Sequence, residues 1–307
     1  MISSNVKGYI FGLTTSITFG LIPLFTLPLM NNGMTFGSIL LYRFLFASIA
    51  LGIMMKIKKE KFAINKSEIA FLILLGLLYT GSAMFLFMGY GLMGAGIATT
   101  IHFTYPVFVT LIMLSFFKEK PTWVTWLAII LAVLGVAKLS IKGEGMHVDV
   151  YGIFIVVISA ICYAAYITIV NKSRMKNMGS RKLAFYVFIV STILFAIKGG
   201  YEGEIQSIPD PMSATNLILL AIVPTVVSNI TLVIAVRNIG GTKTSILGAM
   251  EPVTAVFIGA FIFGEKITMG DIAGIAMILI AVTMIIMTNT IKNSISNVVK
   301  RIRPRHA

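Results

Sequence analysis

Cysteine and charge are both scarce in this chain. Among its 307 residues there is one cysteine, Cys162, and only 12% of the residues are charged, about half of the ~25% that is usual in soluble domains. A single thiol excludes an intramolecular disulfide framework. The three histidines, His102, His147 and His306, are scattered and form no zinc motif. The composition therefore predicts neither a resident metal nor another bound cofactor.

The sequence also lacks the motifs that carry familiar catalytic chemistry. Neither the Gly-x-Ser-x-Gly of a hydrolase nucleophile elbow nor the His-Glu-x-x-His of a zinc protease occurs. Residues 241–244 resemble a phosphate-binding loop only superficially, because no glycine directly precedes Lys243. These absences argue against an enzyme and against an ATP-driven pump formed by this chain alone.

Long apolar runs dominate what is present: 57% of the residues are hydrophobic and the mean hydropathy is +0.95. A membrane helix needs ~20 apolar residues to cross ~30 Å of hydrocarbon. Ten runs of about this length occur, at about 8–28, 35–55, 69–88, 92–116, 122–141, 150–170, 183–199, 215–236, 244–263 and 267–289. They lack the alternation of a membrane barrel, and backbone groups in lipid must be bonded internally. The predicted fold is therefore an all-α integral membrane protein with ten transmembrane helices.

The net charge of +14 could suggest a nucleic-acid partner, but the basic residues are distributed by membrane side. If the N-terminus is cytoplasmic and the chain changes sides at each span, cytoplasmic segments hold 20 of the 25 lysines and arginines. Outer segments hold 4, and Arg43 lies within a span. This asymmetry follows the positive-inside rule. It predicts membrane lipids as partners, no nucleic acid, and both termini in the cytoplasm of a multi-pass plasma-membrane protein, such as one of a bacterial inner membrane.

One sequence pattern occurs twice. Tyr105-Pro106 is followed 13 positions after its proline by Glu119, and Glu251-Pro252 is followed 13 positions after its proline by Glu265. The two copies are offset by 146 residues, close to half of the chain. A repeat of this length is the unit of the whole architecture.

The repeat predicts two five-helix halves, residues 1–145 and 146–290, followed by a basic cytoplasmic tail, 291–307. Because five is odd, the second half enters the membrane from the opposite side, so the halves are inverted. Inverted repeats are common in secondary transporters, whose substrate site lies near the membrane midplane between the halves.

Two ionised residues, Arg43 and Glu251, are predicted deep inside spans. Each costs roughly 2.5–3.5 kcal/mol on insertion scales, so such groups are usually paired or face an aqueous cavity. One hypothesis is structural: the two form a pair, or Arg43 caps backbone carbonyls. The other is that they handle substrate or protons, which Pro252 favours for Glu251 because a proline interrupts the helix beside the carboxylate.

The fourth span presents a polar face that matches this site. Thr99, His102, Tyr105 and Pro106 recur at helical spacing on one side. At the offset of 146, Tyr105 corresponds to Glu251, so the halves place both around the predicted axis. The predicted substrate-binding residues are Tyr79, His102, Tyr105, Tyr163, Asn229 and Glu251, with Arg43 as a possible charge partner.

Ten spans in two halves, each with proline and glutamate closing its fourth span, resemble the EamA branch of the drug/metabolite transporter superfamily. The segments that carry the resemblance are 103–108, Phe-Thr-Tyr-Pro-Val-Phe, and 251–267, which begins Glu-Pro-Val and ends Phe-Gly-Glu-Lys-Ile. The resemblance implies alternating access around a central cavity and transport, mostly outward, of amino acids, purines, vitamins, sugar-linked metabolites or drugs. It also implies a structural role for Glu119 and Glu265 at span ends.

Three functions remain open from the sequence. The first is a secondary-active transporter that exports a small metabolite such as an amino acid. The second is a flippase of the same fold for a lipid intermediate that enters laterally, and the third is a membrane-embedded enzyme using His102 and Glu251 as acid and base. Flux of a water-soluble compound, lipid scrambling, or product formation without flux would distinguish them.

The inverted topology predicts which loops a membrane-impermeant reagent reaches. In a Cys162→Ser background, a cysteine at Gly145 is expected to react with an impermeant maleimide added to whole cells. A cysteine at Asn177 is expected to react only after the cells are opened, because its loop is predicted to be cytoplasmic. The opposite labelling pattern would contradict the topology.

Overall fold

The computed structural model describes residues 4–93, 95–140, 150–262 and 267–302, and these residues form helices and short connections without a β-strand. The ten predicted spans are present. In chain order they are Ser4–Asn31, Phe36–Ile57, Lys66–Met93, 95–117, Trp123–Ser140, Val150–Lys172, Ser180–Glu202, Pro211–Ile239, Gly241–Ile262 and Met269–Ile302, numbered here as spans 1 to 10. Eight contain a helix long and apolar enough to cross a membrane, and spans 4 and 5 contribute the shorter apolar helices Tyr105–Phe117 and Trp123–Lys138.

Span 10 is longer than the sequence suggested. Its helix runs from Met269 to Ile302 and so includes most of the predicted tail, 291–307, whose last residues lie outside the described part. The predicted boundary between the halves, 145/146, also falls on residues outside it. The limits of the two repeats therefore stay a prediction.

Three spans are broken near their middle. Span 1 is interrupted between Phe19 and Ile22, span 4 between His102 and Tyr105, and span 9 between Leu247 and Met250.

In each case the second helix carries a proline in its first turn: Pro23, Pro106 or Pro252. Proline suits that position because its missing N–H would have no partner in the first turn and its φ is preset for the helix. The prolines thus restart the helix after each break.

Span 8 is modified by a proline in a different way. Pro224 cannot donate the N–H that would bond the carbonyl of Leu220, and the helix widens into a π-helical turn over Ile222–Val227. The hydroxyl of Thr225 donates to the freed Leu220 carbonyl at 2.7 Å, and Ser228 Oγ donates to the Pro224 carbonyl at 2.6 Å. Side chains thereby satisfy backbone groups that lipid could not.

The packing of the spans follows a two-fold relation between the halves. Spans 2 and 7 pack on each other, as do spans 5 and 10, and each pair consists of corresponding members of the two halves. Span 1 packs on span 8, and span 3 packs on span 6. Because span 1 corresponds to span 6 and span 3 to span 8, the two-fold relation converts one of these contacts into the other. With five spans in each half, this is the arrangement that an inverted repeat requires.

A hydrogen-bond network joins the halves at the end predicted to face outward. Gln206 accepts from the Thr35 N–H at 2.6 Å through Oε1 and donates through Nε2 to the Gly33 carbonyl at 3.0 Å. Its backbone N–H donates to Ser38 Oγ at 3.0 Å, and its carbonyl accepts from Tyr42 Oη at 2.7 Å. Both the side chain and the main chain of Gln206 therefore hold the start of span 2.

Ion pairs join the halves at the opposite end. Arg181 Nε donates to Glu60 at 2.8 Å, linking the start of span 7 to the loop after span 2. Lys172 Nζ contacts Glu119 at 2.6 Å, linking the ends of spans 6 and 4. Glu119 thus bonds at a span end, where a structural role was predicted for it, whereas Glu265 lies outside the described residues.

Asp210 offers a test of the outward-end network. Its carboxylate caps span 8 by accepting from the Ser213 hydroxyl at 2.6 Å and the Ser213 N–H at 2.9 Å, and it also accepts from Asn32 at 3.2 Å. These bonds, led by the Ser213 hydroxyl, hold the pKa of Asp210 below its ordinary value of 3.8.

A folded-state pKa below the unfolded value means that the stabilisation is present above pH 3.8 and disappears as the pH falls through the folded-state pKa. Asp210→Ala is expected to lower the unfolding temperature at pH 7, with the difference from wild type shrinking in acid. The exposed Ser207→Ala serves as control. A difference that is the same at pH 7 and in acid would contradict the role of the carboxylate.

Candidate functional site

The candidate site lies where the breaks of spans 4 and 9 meet. His102 ends the first helix of span 4 and Tyr105 begins the second. Glu251 is the second residue of the second helix of span 9. Both second helices therefore begin at the middle of their spans. The positive end of the helix dipole lies beside Tyr105 in span 4 and beside Glu251 in span 9.

Tyr105 and Gly248 form the direct contact between the two breaks. The Tyr105 hydroxyl donates to the Ser245 carbonyl at 3.1 Å and is buried. A Cβ atom at position 248 would overlap that hydroxyl, so only glycine leaves room for it. The break of span 9 thus accommodates a side chain from the break of span 4.

His102 is held in a defined tautomer by two serines. Ser159 Oγ lies 2.9 Å from His102 Nδ1 and 2.6 Å from the Ser82 carbonyl. The single Ser159 proton goes to the carbonyl, which only accepts, so Ser159 accepts from His102. This network assigns the proton of the neutral ring to Nδ1 and makes Nε2 the hydrogen-bond acceptor of His102.

A row of aromatic rings runs from His102 across the protein. The His102 and Tyr163 centroids are 5.7 Å apart, and Tyr163 lies 4.8 Å from Tyr105 in an edge-on arrangement. Tyr163 stacks on Tyr166 at 6.3 Å, and Tyr166 lies 5.2 Å from Tyr79. These distances are typical of favourable aromatic pairs. The row joins spans 3, 4 and 6 into one surface.

Asn229 fixes the far end of this tyrosine row. It is fully buried in span 8, and its amide donates to the Tyr79 hydroxyl at 2.9 Å and to the Thr225 carbonyl at 3.1 Å. The Tyr166 hydroxyl lies 3.5 Å from the Asn229 carbonyl oxygen. One amide therefore positions two tyrosines against the π-helical turn.

Arg43 is bound to the same turn. The side chain is 6% exposed, its Nε donates to Thr225 Oγ1 at 2.6 Å, and its Nη2 lies 3.5 Å from the Pro224 carbonyl. The guanidinium also lies over the Phe44 ring at 5.6 Å, a favourable cation–π distance. Arg43 thus bonds a side-chain hydroxyl of the turn and lies beside one of its carbonyls, and its pairing with Glu251 stays a prediction. The Pro224 carbonyl that Arg43 approaches also accepts from Ser228 Oγ at 2.6 Å.

Glu251 lies between these groups and the break of span 1. A Cβ atom at Gly20 would lie 2.5 Å from the Glu251 carbonyl oxygen, so glycine at the break of span 1 lets the two backbones meet. Glu251 is half-buried as a residue, and its position is mid-span. Its carboxyl lies within electrostatic range of Arg43, Tyr79, Tyr105 and Tyr163.

The structure connects the predicted site residues and adds partners outside the predicted site list. Tyr79, His102, Tyr105, Tyr163 and Asn229 form one chain of contacts, and Glu251 lies within electrostatic range of three of them. The added partners are Ser82, Ser159, Tyr166, Thr225 and Ser245. Tyr166 follows Tyr163 at helical spacing and Thr225 follows Pro224, so both had a local signal. Ser82, Ser159 and Ser245 belong to the site only because distant spans pack together there.

Arg237 lies in the last turn of span 8, at the end predicted to face the cytoplasm, and is half-buried. Its Nη2 donates to the Met175 carbonyl at 2.9 Å. The helix of span 8 continues to Ile239, whereas the apolar run of the sequence ends at about residue 236.

Comparisons with known proteins agree with this architecture. A model of the EamA-like transporter family matches the chain twice, over residues 6–141 and 150–287. A solved structure described only as "Crystal structure of protein" superposes with a TM-score of 0.78 at 14% identity, covering 91% of this chain and 96% of that one. At this identity the superposition shows a shared fold.

Two curated relatives carry transporter names. "Uncharacterized transporter YwfM" of Bacillus subtilis is 24% identical over 168 residues, which is 55% of this chain and 56% of that protein. "Uncharacterized transporter sll1319" of Synechocystis sp. is 24% identical over 220 residues, which is 68% of this chain and 65% of that protein. The chain thus spans less than two thirds of the length of each.

The contact between Tyr105 and position 248 predicts a specific packing defect. Gly248→Ala is expected to destabilise the protein by about 1–3 kcal/mol, the usual effect of forcing extra volume into a packed interior. Adding Tyr105→Phe removes the overlapped hydroxyl and should recover part of the loss in a double-mutant cycle of thermal unfolding. Gly179→Ala is the control, since nothing lies within 4 Å of its added Cβ. Additive effects of the two site substitutions would contradict the contact.

Proposed function

Because the chain belongs to the EamA-like transporter family, we propose that it is a secondary-active transporter that exports a small metabolite, such as an amino acid, by alternating access. The relatives named transporters, from Bacillus subtilis and Synechocystis sp., support a transport role. The excess of basic residues on one side supports an orientation with both termini in the cytoplasm, in the plasma membrane of a bacterium.

The observation that carries the proposal is the meeting of broken spans from both halves. The breaks of spans 4 and 9 face each other through Tyr105 and Gly248, and the break of span 1 reaches Glu251. Irregular backbone inside a membrane is tolerated where it is buried in protein or lines a water-filled cavity. In transporters with inverted repeats, such helix ends surround the substrate. We therefore place the substrate beside these breaks.

The side chains there suit a small molecule with polar ends and an apolar body. The tyrosine row offers ring faces to the apolar part. His102 Nε2 offers an acceptor, and Glu251 offers a carboxyl group at the start of a helix, where the dipole stabilises negative charge. Asn229 holds Tyr79 in place, so this surface is organised before a substrate binds.

Alternating access would use the two ends of the bundle in turn. At the predicted outward end, the halves are joined by the hydrogen bonds around Gln206 and by the bond from Asn32 to Asp210. At the predicted cytoplasmic end, they are joined by the pairs Arg181–Glu60 and Lys172–Glu119. Each set connects one half to the other, so opening either end requires breaking its set. Exposed ion pairs are weak and salt-screened, which favours reversible opening.

Proton coupling is assigned to Glu251 rather than to Arg43. Arg43 is bound by Thr225 and lies beside the Pro224 carbonyl, both of span 8, which ties its charge to the scaffold. Glu251 lies at a break where three spans meet, and it is half-buried as a residue. A carboxyl group at such a position can exchange its proton with a substrate or with water during the cycle.

Substitution of Glu251 tests this role. In proteoliposomes, Glu251→Gln is expected to reduce net flux driven by a pH gradient at least about tenfold, while substrate exchange is retained, because exchange needs no net proton transfer. Glu204→Gln, an exposed carboxylate, is the control and should transport normally.

Two results would contradict the assignment. Transport by Glu251→Gln at the wild-type rate and with the wild-type pH dependence would remove Glu251 from the mechanism. Loss of folding stability that Arg43→Met partly restores would indicate that Glu251 serves to neutralise Arg43, since an unpaired buried charge is destabilising.

A further inference from the structure

The loops that follow spans 2 and 7 have the same backbone conformation. An offset of 144 residues relates the starts of these two spans. At this offset Lys59 corresponds to Gly203, and both have a positive φ, 54° and 68°. The next residue in each loop is a glutamate whose N–H donates to the carbonyl five residues earlier, at 2.9 Å for Glu60 and 3.0 Å for Glu204. The two-fold relation between the halves therefore extends from the spans into these loops.

Each of these loops is bound by a tyrosine of the opposite half. The Tyr42 hydroxyl donates to the Gln206 carbonyl at 2.7 Å, and the Tyr186 hydroxyl donates to the Phe62 carbonyl at 2.5 Å. Both the two donors and the two acceptors are 144 residues apart, so the bonds are equivalent under the two-fold relation. They define an inner clasp, loop 58–65 on the start of span 7, and an outer clasp, loop 203–210 on the start of span 2, named for the sides that they are predicted to face.

The two clasps differ in charge at one pair of equivalent positions. In the inner clasp, Arg181 Nε donates to the Glu60 carboxylate at 2.8 Å. At the offset of 144, Arg181 corresponds to Gly37, and Glu60 corresponds to Glu204. A Cβ atom at Gly37 would lie 3.8 Å from Glu204 Oε2, so the outer clasp has the carboxylate and lacks the arginine. Glu204 is exposed, and no cation pairs with it among the residues that the structure describes.

We propose that the Glu60–Arg181 pair shifts the conformational balance of this protein toward the form in which the inner end is closed. The proposal rests on the transport function proposed above, in which each end opens in turn. A bond that is present only while a clasp is closed shifts the population toward that closed form. An ion pair between partly exposed side chains does so about twofold to fivefold. Glu204 has the equivalent position but gives the outer clasp no matching ion pair, because Gly37 replaces the arginine.

Pulsed EPR on the full chain in lipid nanodiscs measures the populations at the two ends. In a Cys162→Ser background, spin labels are attached at exposed positions on opposite halves, one pair at each end: Lys61 with Asn177 at the inner end, and Asn31 with Met212 at the outer end. Glu60→Gln is expected to raise the population that is open at the inner end about twofold to fivefold. The equivalent substitution in the outer clasp, Glu204→Gln, is the matched control and should leave both populations as in the wild type.

The position of the missing arginine provides the converse test. Gly37→Arg should pair with Glu204 and shift the population about twofold to fivefold toward closure of the outer end. Gly37→Gln fills the same space without a charge, and Gly37→Arg combined with Glu204→Gln removes the new pair, so both should lack this shift. In the inner clasp, Glu60→Gln, Arg181→Gln and their combination should give equal populations, because each removes the same pair. These inner-clasp variants carry the test if Gly37→Arg does not fold.

Two results would overturn the proposal: wild-type populations in Glu60→Gln, or a shift in Gly37→Arg that persists when Glu204 is also replaced. Flux in proteoliposomes distinguishes this failure from failure of the transport function. Proton-driven flux in a protein whose populations do not respond to these substitutions would keep transport and remove the role of the ion pair. Populations that shift as expected, in a protein that moves no compound of a metabolite screen, would keep the role of the ion pair and remove transport.

Discussion

The need to satisfy backbone hydrogen bonds within the membrane is the constraint on which the rest of this structure depends. Ten transmembrane segments of ordinary helix could bundle with few polar contacts, but here spans 1, 4, 8 and 9 depart from the α-helical pattern. At each break the chain makes short turn bonds instead. Examples are Leu21 N–H to Thr18 O at 3.2 Å, Thr104 N–H to Ile101 O at 3.0 Å and Ala249 N–H to Ile246 O at 3.1 Å. Each break therefore keeps hydrogen bonds within its own backbone, where lipid could offer none.

The same constraint explains where the polar side chains lie. The π-helical turn of span 8 exposes backbone groups, and Thr225, Ser228, Asn229 and Arg43 bond to it or to one another. The break of span 9 creates a helix start, where Glu251 is stabilised by the dipole. Buried charge and irregular backbone thus occur together. Charged and polar side chains donate hydrogen bonds to the irregular turn, and the helix start created by a break stabilises a carboxylate. The tyrosine row lies between these two polar regions and connects them.

The two ends of the bundle differ in chemistry, which bears on how the halves would move. Hydrogen bonds at the Gln206 end depend on the positions of the Gln206 main chain and of its side-chain amide. Ion pairs at the other end involve partly exposed side chains that solvent and salt weaken. Both sets lie far along the spans from the breaks. A rigid rocking of one half against the other would therefore change the ends while preserving the contacts at the centre.

The sequence by itself determined the features that depend on local composition. Ten apolar runs predicted the ten spans. The repeated Tyr105-Pro106 and Glu251-Pro252 motifs predicted the positions of two breaks, because a proline interrupts the hydrogen bonds of the helix that contains it. The sequence predicted His102 and Tyr105 on one face of a continuous helix, whereas the helix is broken between them; their rings nevertheless lie 5.8 Å apart. The predicted limits were less accurate at Arg237 and in the tail, where helices continue beyond the apolar runs.

Only the tertiary structure decided which distant groups meet. His102 bonds Ser159, Arg43 bonds Thr225, and Gln206 bonds the start of span 2. The physical reason is that lipid is as apolar as a protein interior, so the faces of a span that contact lipid and protein have similar compositions. Sequence periodicity then leaves the rotation of each helix undetermined. Packing and hydrogen bonds between spans fix that rotation, and with it the partners of every polar side chain.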